Sequence, residues 1–233
     1  MSLYPVFLKL EGHRVLIVGG GQIAEQKTEA VLRSATDVTV IAPQITPRIR
    51  LWAHQRKVKH IGLEFRPGMA AGYFLVIAAT DSEQVNRAVY EEARTAGALS
   101  NAVDDPAYCD FYAPAVVNRG EFQIAISTGG NSPALAQSVR KELEEEFGVE
   151  YESWTAWLGR MRNAIRNLLP RGERRKELLH LLAQCKPQRF SAQSSVSDHP
   201  TISNNQLLGG SHGPFEESRF GKQAETRPER ASA

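Results

Sequence analysis

Three consecutive glycines between an apolar run and a helical pattern constrain the fold of this chain most. Residues 15–18 are aliphatic, and Gly19, Gly21 and Ala24 follow in the spacing G-x-G-x-x-A. In this order a buried parallel strand enters a tight turn at Gly19, the backbone at Gly21 can approach a pyrophosphate at the positive end of the next helix, and Ala24 keeps helix and strand close. The segment therefore predicts a dinucleotide-binding unit that takes a nicotinamide or flavin cofactor.

The alternation of apolar runs and helical patterns after the glycines predicts the fold class. Further strands are predicted near residues 38–42, 60–65, 73–79 and 99–103, and helices over 22–34, 47–55 and 83–96. Strands separated by helices form parallel sheets with right-handed crossovers. We therefore expect an α/β fold with an NAD-binding Rossmann domain, which is a doubly wound parallel sheet.

The pattern changes after residue 110. Residues 113–127 predict two strands joined by a turn at 118–120, with no helix between them, and helical patterns follow from Pro133 to residue 184. Beyond residue 185 the chain is rich in Ser, Gln, Pro and Gly, which is typical of a disordered tail. The predicted divisions are a Rossmann domain over 1–110, a small α+β dimerisation and substrate region over 111–148, a helical carboxyl-terminal domain over 149–185 and the tail over 186–233.

Composition and charge exclude several classes of function. No apolar run is long enough for a membrane helix and no signal peptide precedes residue 20, so we expect a cytoplasmic protein without a membrane partner. Residues 1–150 carry 15 Lys/Arg and 18 Asp/Glu, and residues 151–233 carry 13 and 8. The basic excess has no aromatic-interleaved pattern, which argues against nucleic acid. Cys109 and Cys185 lie far apart, so no metal site or disulfide is predicted.

Three motifs in combination resemble one known family. They are the glycine stretch over residues 19–27, the Asn-Ala-Val-Asp sequence that ends at Asp104, and the Ile-Ser-Thr-Gly-Gly-Asn-Ser-Pro sequence that ends at Pro133. Together they resemble precorrin-2 dehydrogenase, the amino-terminal module of siroheme synthase, over roughly residues 2–185. The resemblance implies oxidation of a tetrapyrrole, precorrin-2, to sirohydrochlorin with NAD. In some members it also implies insertion of ferrous iron, Fe²⁺, as a chelatase substrate, and it implies a homodimer formed through residues after 111.

The resemblance also assigns site residues. The catalytic aspartate maps onto Asp104, at the carboxyl end of a predicted strand, where open α/β sheets bind their ligands. A carboxylate there can accept the proton released as hydride leaves, or a pyrrole proton during metal insertion. The implied cofactor contacts are Gly19, Gly21, Gln22, Ile23, Pro43, Gln44, Thr80 and Asp81. The loop over residues 127–133 presents hydroxyls and backbone amides at a helix start, which suits anionic groups. The predicted contacts to the carboxylates of the macrocycle are Asn118, Arg119, Ser127, Thr128 and Asn131.

Two questions stay open at the level of the sequence. An acidic residue about twenty positions after the glycines would bind the ribose 2′-hydroxyl of NAD, but the chain has Ala-Pro-Gln-Ile at residues 42–45. The choice of NAD therefore rests on the resemblance, and NADP stays open. A nucleotide-sensing regulatory domain without catalysis would share the glycine loop but need no acid at Asp104, and a dehydrogenase for another substrate is a further alternative.

Overall fold

The computed structural model of the chain describes residues 3–184 and Pro187. The predicted tail over 186–233 therefore lies, except for Pro187, outside the described residues. The elements of the described part are, in order, β1 (Arg14–Val18), α1 (Gln22–Val31), β2 (Asp37–Ile41), α2 (Pro47–His54), β3 (Lys59–Ile61), β4 (Leu75–Ala78), α3 (Glu83–Thr95), β5 (Leu99–Ala102), a 3-10 helix (Pro106–Tyr108), β6 (Ala115–Arg119), β7 (Phe122–Ile126), α4 (Pro133–Glu146), α5 (Glu150–Leu168) and α6 (Glu173–Gln184).

A five-stranded parallel sheet forms the first part of the fold. Its strands lie in the order β3-β2-β1-β4-β5, and β4 is buried along its whole length, as expected of a strand covered by helices on both faces. On one face Ala24 of α1 and Ile49 of α2 pack with Ile17 of β1. On the other face Val89 and Ala93 of α3 complete a second apolar cluster. The predicted α/β class and the doubly wound parallel sheet are confirmed.

Three helices begin with a side-chain cap, and α1 does not. The hydroxyl oxygens of Thr46, Ser82 and Ser132 each accept a hydrogen bond from the backbone N–H three residues later, at the start of α2, α3 and α4. Each bond satisfies one donor that the helix itself leaves unpaired. The cap residue of α1 is Gly21, which has no side chain that could accept such a bond. The amino-terminal donors of α1 therefore stay available at the edge of the sheet.

An antiparallel hairpin and three helices follow the sheet. β6 pairs with β7 along its whole length, and α4 packs against both strands. Few of these residues are buried: Ala115 and Val117 in β6 and Ala136 in α4, whereas α5 and α6 contain no buried residue. The division of the chain after residues 110, 148 and 185 stays a prediction.

The hairpin turn differs from the sequence prediction. It was expected at residues 118–120, but Asn118 and Arg119 belong to β6 and pair with β7. The connection is the two-residue turn of Gly120 and Glu121, in which Gly120 has a φ of +62°. Two-residue hairpin loops require a positive φ at their first residue, which glycine adopts without strain.

Candidate functional site

The glycine turn after β1 packs tightly against the segments that follow β4 and β2. Gly19 has a φ of +125°, and a Cβ built on it would lie 2.2 Å from the carbonyl oxygen of Ala79. A Cβ on Gly20 would lie 1.9 Å from the carbonyl oxygen of Gln44, and the carbonyl of Gly20 accepts a hydrogen bond from Thr46 N at 3.0 Å. The middle glycine, which the motif G-x-G-x-x-A leaves unspecified, is therefore required by the approach of the chain after β2.

Gly21 is open where its two neighbours are crowded. A Cβ built on Gly21 would have no neighbour within 4 Å. The residue is the amino-terminal cap of α1 and offers no side-chain hydrogen bond, and the side chains of Gln22 and Ile23 beyond it are exposed. Free N–H groups at the positive end of a helix bind phosphate groups. The space above Gly21 and the uncapped start of α1 therefore fit the pyrophosphate of a dinucleotide.

The other predicted cofactor residues lie on the same edge of the sheet. β1, β2 and β4 are parallel neighbours, so their carboxyl ends share one edge. The exposed residues Pro43 and Gln44 follow β2, and Thr80 and Asp81 follow β4. All eight predicted cofactor contacts thus lie in the loops that leave this edge or in the first turn of α1. Their binding roles stay predictions.

A buried asparagine fixes the conformation of Thr80. Oδ1 of Asn86 accepts hydrogen bonds from Thr80 N at 3.2 Å and Thr80 Oγ1 at 2.7 Å, and its Nδ2 donates to Thr80 O at 3.0 Å. Asn86 lies on α3 and is 8% exposed. Asn86 was not predicted from the sequence. The available signal was a polar residue three positions before Val89 on the buried face of α3.

Asp104 occupies a turn at the end of β5. Its φ of +65° lies in the left-handed region, which aspartate enters more readily than most residues at a cost of about 1–3 kcal/mol. The adjacent Asp105 accepts a hydrogen bond from Ala107 N at 3.2 Å and caps the 3-10 helix. The exposed carboxylate of Asp104 has no hydrogen-bond or ion-pair partner among the described residues. Asp105 thus serves the turn, and Asp104 is free to meet a ligand.

The loop after the 3-10 helix folds back onto β5 and supports this turn. Nδ2 of the buried Asn101 donates to the carbonyl oxygen of Phe111 at 2.8 Å, and Oδ2 of Asp110 accepts from Ser100 N at 2.9 Å. Cys109 Sγ lies 3.1 Å from a backbone carbonyl oxygen of β5. Burial raises the pKa of the Cys109 thiol, which favours the neutral form. These contacts hold both ends of the Asp104 turn.

A cleft of about 380 Å³ opens beside Asp104. Ser127 and Thr128 line it from the loop before α4, and Lys27 lines it from α1. The two hydroxyl oxygens accept hydrogen bonds from backbone N–H groups of their own loop, both at 3.1 Å, so that each hydroxyl can still donate to a ligand. The cleft combines a carboxylate, an ammonium group and two hydroxyls.

Three predicted substrate residues do not line this cleft. Asn118 and Arg119 lie in β6. The guanidinium of Arg119 donates to the carbonyl oxygens of Phe147 at 2.9 Å and Glu144 at 3.1 Å, at the end of α4, where cations satisfy the last helical carbonyls. Asn131 is exposed in the loop before α4. The geometry favours a capping role for Arg119, and substrate contacts of these three residues stay predictions.

A larger cleft lies on the opposite edge of the sheet. It has a volume of about 520 Å³ and is lined in part by Arg48 and Trp52. Ala35 and Thr36, which also line it, precede β2, so this cleft is at the amino ends of the strands. Ligands of open α/β sheets bind at the carboxyl ends. We therefore take the cleft beside Asp104 as the candidate site.

Neither a metal cluster nor a membrane helix occurs in the described part of the chain. No group of three or more His, Cys, Asp and Glu side chains within residues 3–184 could hold a metal ion. Of the helices described, none is long and apolar enough to cross a membrane.

The chain is similar to known proteins over both parts of its fold. A family model described as putative NAD(P)-binding matches residues 6–115, and one described as sirohaem biosynthesis protein central matches residues 119–146. A siroheme synthase of Methylobacillus flagellatus is 34% identical over 76% of this chain, and siroheme synthase 2 of Yersinia pestis is 41% identical over 62% of it.

These relatives are longer than the chain. It spans 38% of the Methylobacillus protein and 31% of the Yersinia protein. A solved structure named SirC, precorrin-2 dehydrogenase, superposes with a TM-score of 0.67 and 28% identity over 77% of this chain and 89% of SirC. The chain therefore belongs to the precorrin-2 dehydrogenase and siroheme synthase family, whose NAD(P)-binding and central domains it carries.

Proposed function

We propose that the chain catalyses the NAD-dependent dehydrogenation of precorrin-2 to sirohydrochlorin, a step of siroheme biosynthesis. The observation that carries the proposal is the cleft that Asp104 lines together with Ser127 and Thr128, at the edge of the sheet where the glycine turn is open. The likeness to SirC, named a precorrin-2 dehydrogenase, over 89% of that chain supports the same activity.

The residues of the site divide the reaction between them. NAD supplies the hydride acceptor when it is bound. The free N–H groups at the start of α1 hold the pyrophosphate, and Gly21 admits it. Dehydrogenation also releases a proton, which the unpartnered Asp104 carboxylate accepts as a general base; such a base contributes about 10²–10⁴ in rate. The hydroxyls of Ser127 and Thr128 donate hydrogen bonds to carboxylates of the macrocycle.

NAD is the proposed cofactor in preference to NADP. A 2′-phosphate is usually met by an arginine near the end of the second strand. The first arginine after β2 is Arg48, and its guanidinium forms an ion pair with Glu29 at 2.6 Å and lies 3.9 Å from Glu25. A guanidinium held by two carboxylates is a poor partner for a further anion, which supports the unphosphorylated ribose.

Insertion of ferrous iron into sirohydrochlorin is a second candidate activity of the same cleft. Several curated relatives are named siroheme synthase, and siroheme is the iron-containing form of this macrocycle. Metal insertion requires the pyrrole nitrogens to lose their protons, and the Asp104 carboxylate can accept one of them. Fe²⁺ then enters as a substrate rather than as a resident cofactor.

A homodimer formed through the region after residue 111 completes the proposal. α5 and α6 bury no side chain in the single chain, and Leu168 and Val149 are 80% and 78% exposed. These two residues lie at opposite ends of α5, and between them Trp157, Leu158 and Ile165 are only half-buried. Apolar surface left exposed along a helix marks an interaction surface. Sedimentation equilibrium of the full chain is expected to give twice the mass of 25.8 kDa. Leu168→Glu is expected to lower the dimer fraction, and Asn167→Glu, on the same helix, serves as the charge control.

Turnover of precorrin-2 tests the activity directly. The purified chain is mixed with enzymatically made precorrin-2 and NAD, and sirohydrochlorin and NADH are followed by absorbance. Both are expected to form in equal amounts, faster with NAD than with NADP, and later addition of Fe²⁺ tests chelation. A chain that binds NADH but forms no sirohydrochlorin would instead fit a nucleotide-sensing domain.

A further inference from the structure

Lys27 is the one cation that lines the cleft among the described residues. The other charged residues there are Asp104 and Asp105. Lys27 is half-buried on α1 and has no ion-pair partner within residues 3–184. A half-buried lysine packs its aliphatic stem on the protein and keeps its ammonium group accessible, and without a carboxylate partner this group is free to bind an anion. Its position therefore suits an anion that arrives from outside the chain.

The position of Lys27 on α1 links the cleft to the cofactor edge. Ile23, a predicted cofactor contact, lies four residues before Lys27 and therefore on the same face of the helix. Four residues correspond to about 6 Å along a helix axis. An anion held by Lys27 is thus displaced by about one helical turn from the loop that receives the pyrophosphate.

The charge of Lys27 also acts on Cys109, which lines the same cleft. Burial raises the pKa of the Cys109 thiol, and the ammonium of Lys27 opposes this rise. Cys109 is hydrogen-bonded within the segment that supports Asp104. Lys27 and Asp104 line the same cleft, so that one ligand in this cleft can contact both residues.

We infer that Lys27 binds a carboxylate of the tetrapyrrole substrate and orients the macrocycle between the cofactor edge and Asp104. The inference rests on the proposed function, because it takes the ligand to be a polycarboxylate. A macrocycle with eight carboxylates is repelled by Asp104 and Asp105, so that the cleft needs a cation to bind it. Lys27 is in this sense a positioning residue that sets affinity and specificity for carboxylated macrocycles.

Steady-state kinetics of Lys27 variants test the assignment. Lys27→Met removes the charge at nearly constant length, and Lys27→Arg keeps it. We expect Lys27→Met to raise KM for precorrin-2 about tenfold, because one charge-assisted hydrogen bond to the substrate is lost. The values of kcat and of the Kd for NADH should stay within about twofold of wild type. Lys27→Arg is expected to recover most of the loss. Lys59→Met, which removes an exposed lysine of β3, is the matched control and keeps the wild-type KM.

Equilibrium binding separates this inference from the proposed activity. Uroporphyrin, a stable porphyrin with eight carboxylates, is titrated by fluorescence into wild type, Lys27→Met and Lys27→Gln. Weaker porphyrin binding in both variants supports the inference, whether or not wild type turns over precorrin-2. Absence of turnover by wild type would count only against the proposed activity. Unchanged porphyrin binding and unchanged KM in the variants would overturn it, as would a loss of NADH affinity equal to that for the macrocycle.

Discussion

Substitution of the second glycine should weaken folding, whereas substitution of the third should weaken cofactor binding and leave folding nearly unchanged. A Cβ on Gly20 would lie 1.9 Å from the carbonyl oxygen of Gln44 and 2.9 Å from Ala42 Cβ, whereas ordinary contact begins at 3.4 Å. The chain after β2 would have to move by about 1.5 Å, and the hydrogen bond between Thr46 N and Gly20 O would be lost. Overpacking costs about 1–3 kcal/mol and the bond about 0.5–1.5 kcal/mol. Gly20→Ala should therefore lower the free energy of unfolding by about 1.5–4.5 kcal/mol.

Gly21→Ala is the matched variant, because the same methyl group meets no atom within 4 Å. The backbone there, at φ −79° and ψ −170°, suits any residue. Loss of chain entropy in the unfolded state stabilises by about 0.4–1 kcal/mol, which offsets the weaker capping by alanine. Stability should stay within about 1 kcal/mol of wild type. NADH affinity should fall at least about tenfold, because the methyl group occupies the approach of the pyrophosphate.

Urea unfolding followed by tryptophan fluorescence measures the first effect, and titration of NADH fluorescence measures the second. A Gly20→Ala protein as stable as wild type would refute the argument from the approach of Gln44. Wild-type NADH affinity in a folded Gly21→Ala protein would show that the glycine loop is an ordinary turn without a role in cofactor binding.

Three further predictions concern Asp104 and the residues Asn86 and Cys109 that support the site. Asp104→Asn should lower turnover about 10²–10⁴-fold with unchanged NADH affinity, and Asp105→Asn, which can still cap the 3-10 helix, should keep wild-type turnover. Asn86→Leu breaks three hydrogen bonds to Thr80 and should cost about 1–3 kcal/mol of unfolding free energy, measured in urea. Burial raises the pKa of Cys109. In a Cys185→Ser background, the alkylation of Cys109 by iodoacetamide should therefore accelerate only at a higher pH than the alkylation of a free thiol. A pH–rate profile that matches the free thiol would contradict the raised pKa.

Elements with a strong pattern were predicted well from the sequence. β4 and α3 were recognised because their signals, an apolar run and the capping residue Ser82, lie within the segment itself. β3 was predicted over residues 60–65 but comprises Lys59–Ile61, since an edge strand of three residues has too short a pattern to mark its own end.

The features of the site that the sequence did not predict depend on neighbours distant in sequence. Gly20 must be glycine because the backbone of Gln44 approaches it closely, and Asn86 is buried where it hydrogen-bonds with Thr80. No local spacing in the sequence encodes either contact. Arg119 was predicted as a substrate contact, and its hydrogen bond to the carbonyl oxygen of Phe147 at the end of α4 could not be read from the sequence. The motif that contains Asp104 was visible in the sequence, whereas its left-handed backbone and unpartnered carboxylate emerge only from the folded turn.

The central position of β1 has a consequence for synthesis of the chain. Val15 pairs with Val38 on one side and with Leu75 on the other, and Leu75 follows about 60 residues later. At a translation rate of about 5–20 residues per second, β1 waits about 3–12 s for its second partner. During this interval an apolar strand with one open edge can pair with another nascent chain. β1 begins with the charged Arg14, which later stacks on Tyr73 at 4.3 Å, and three glycines follow the strand. The residues at both ends of β1 therefore act as gatekeepers against aggregation until β4 has been made.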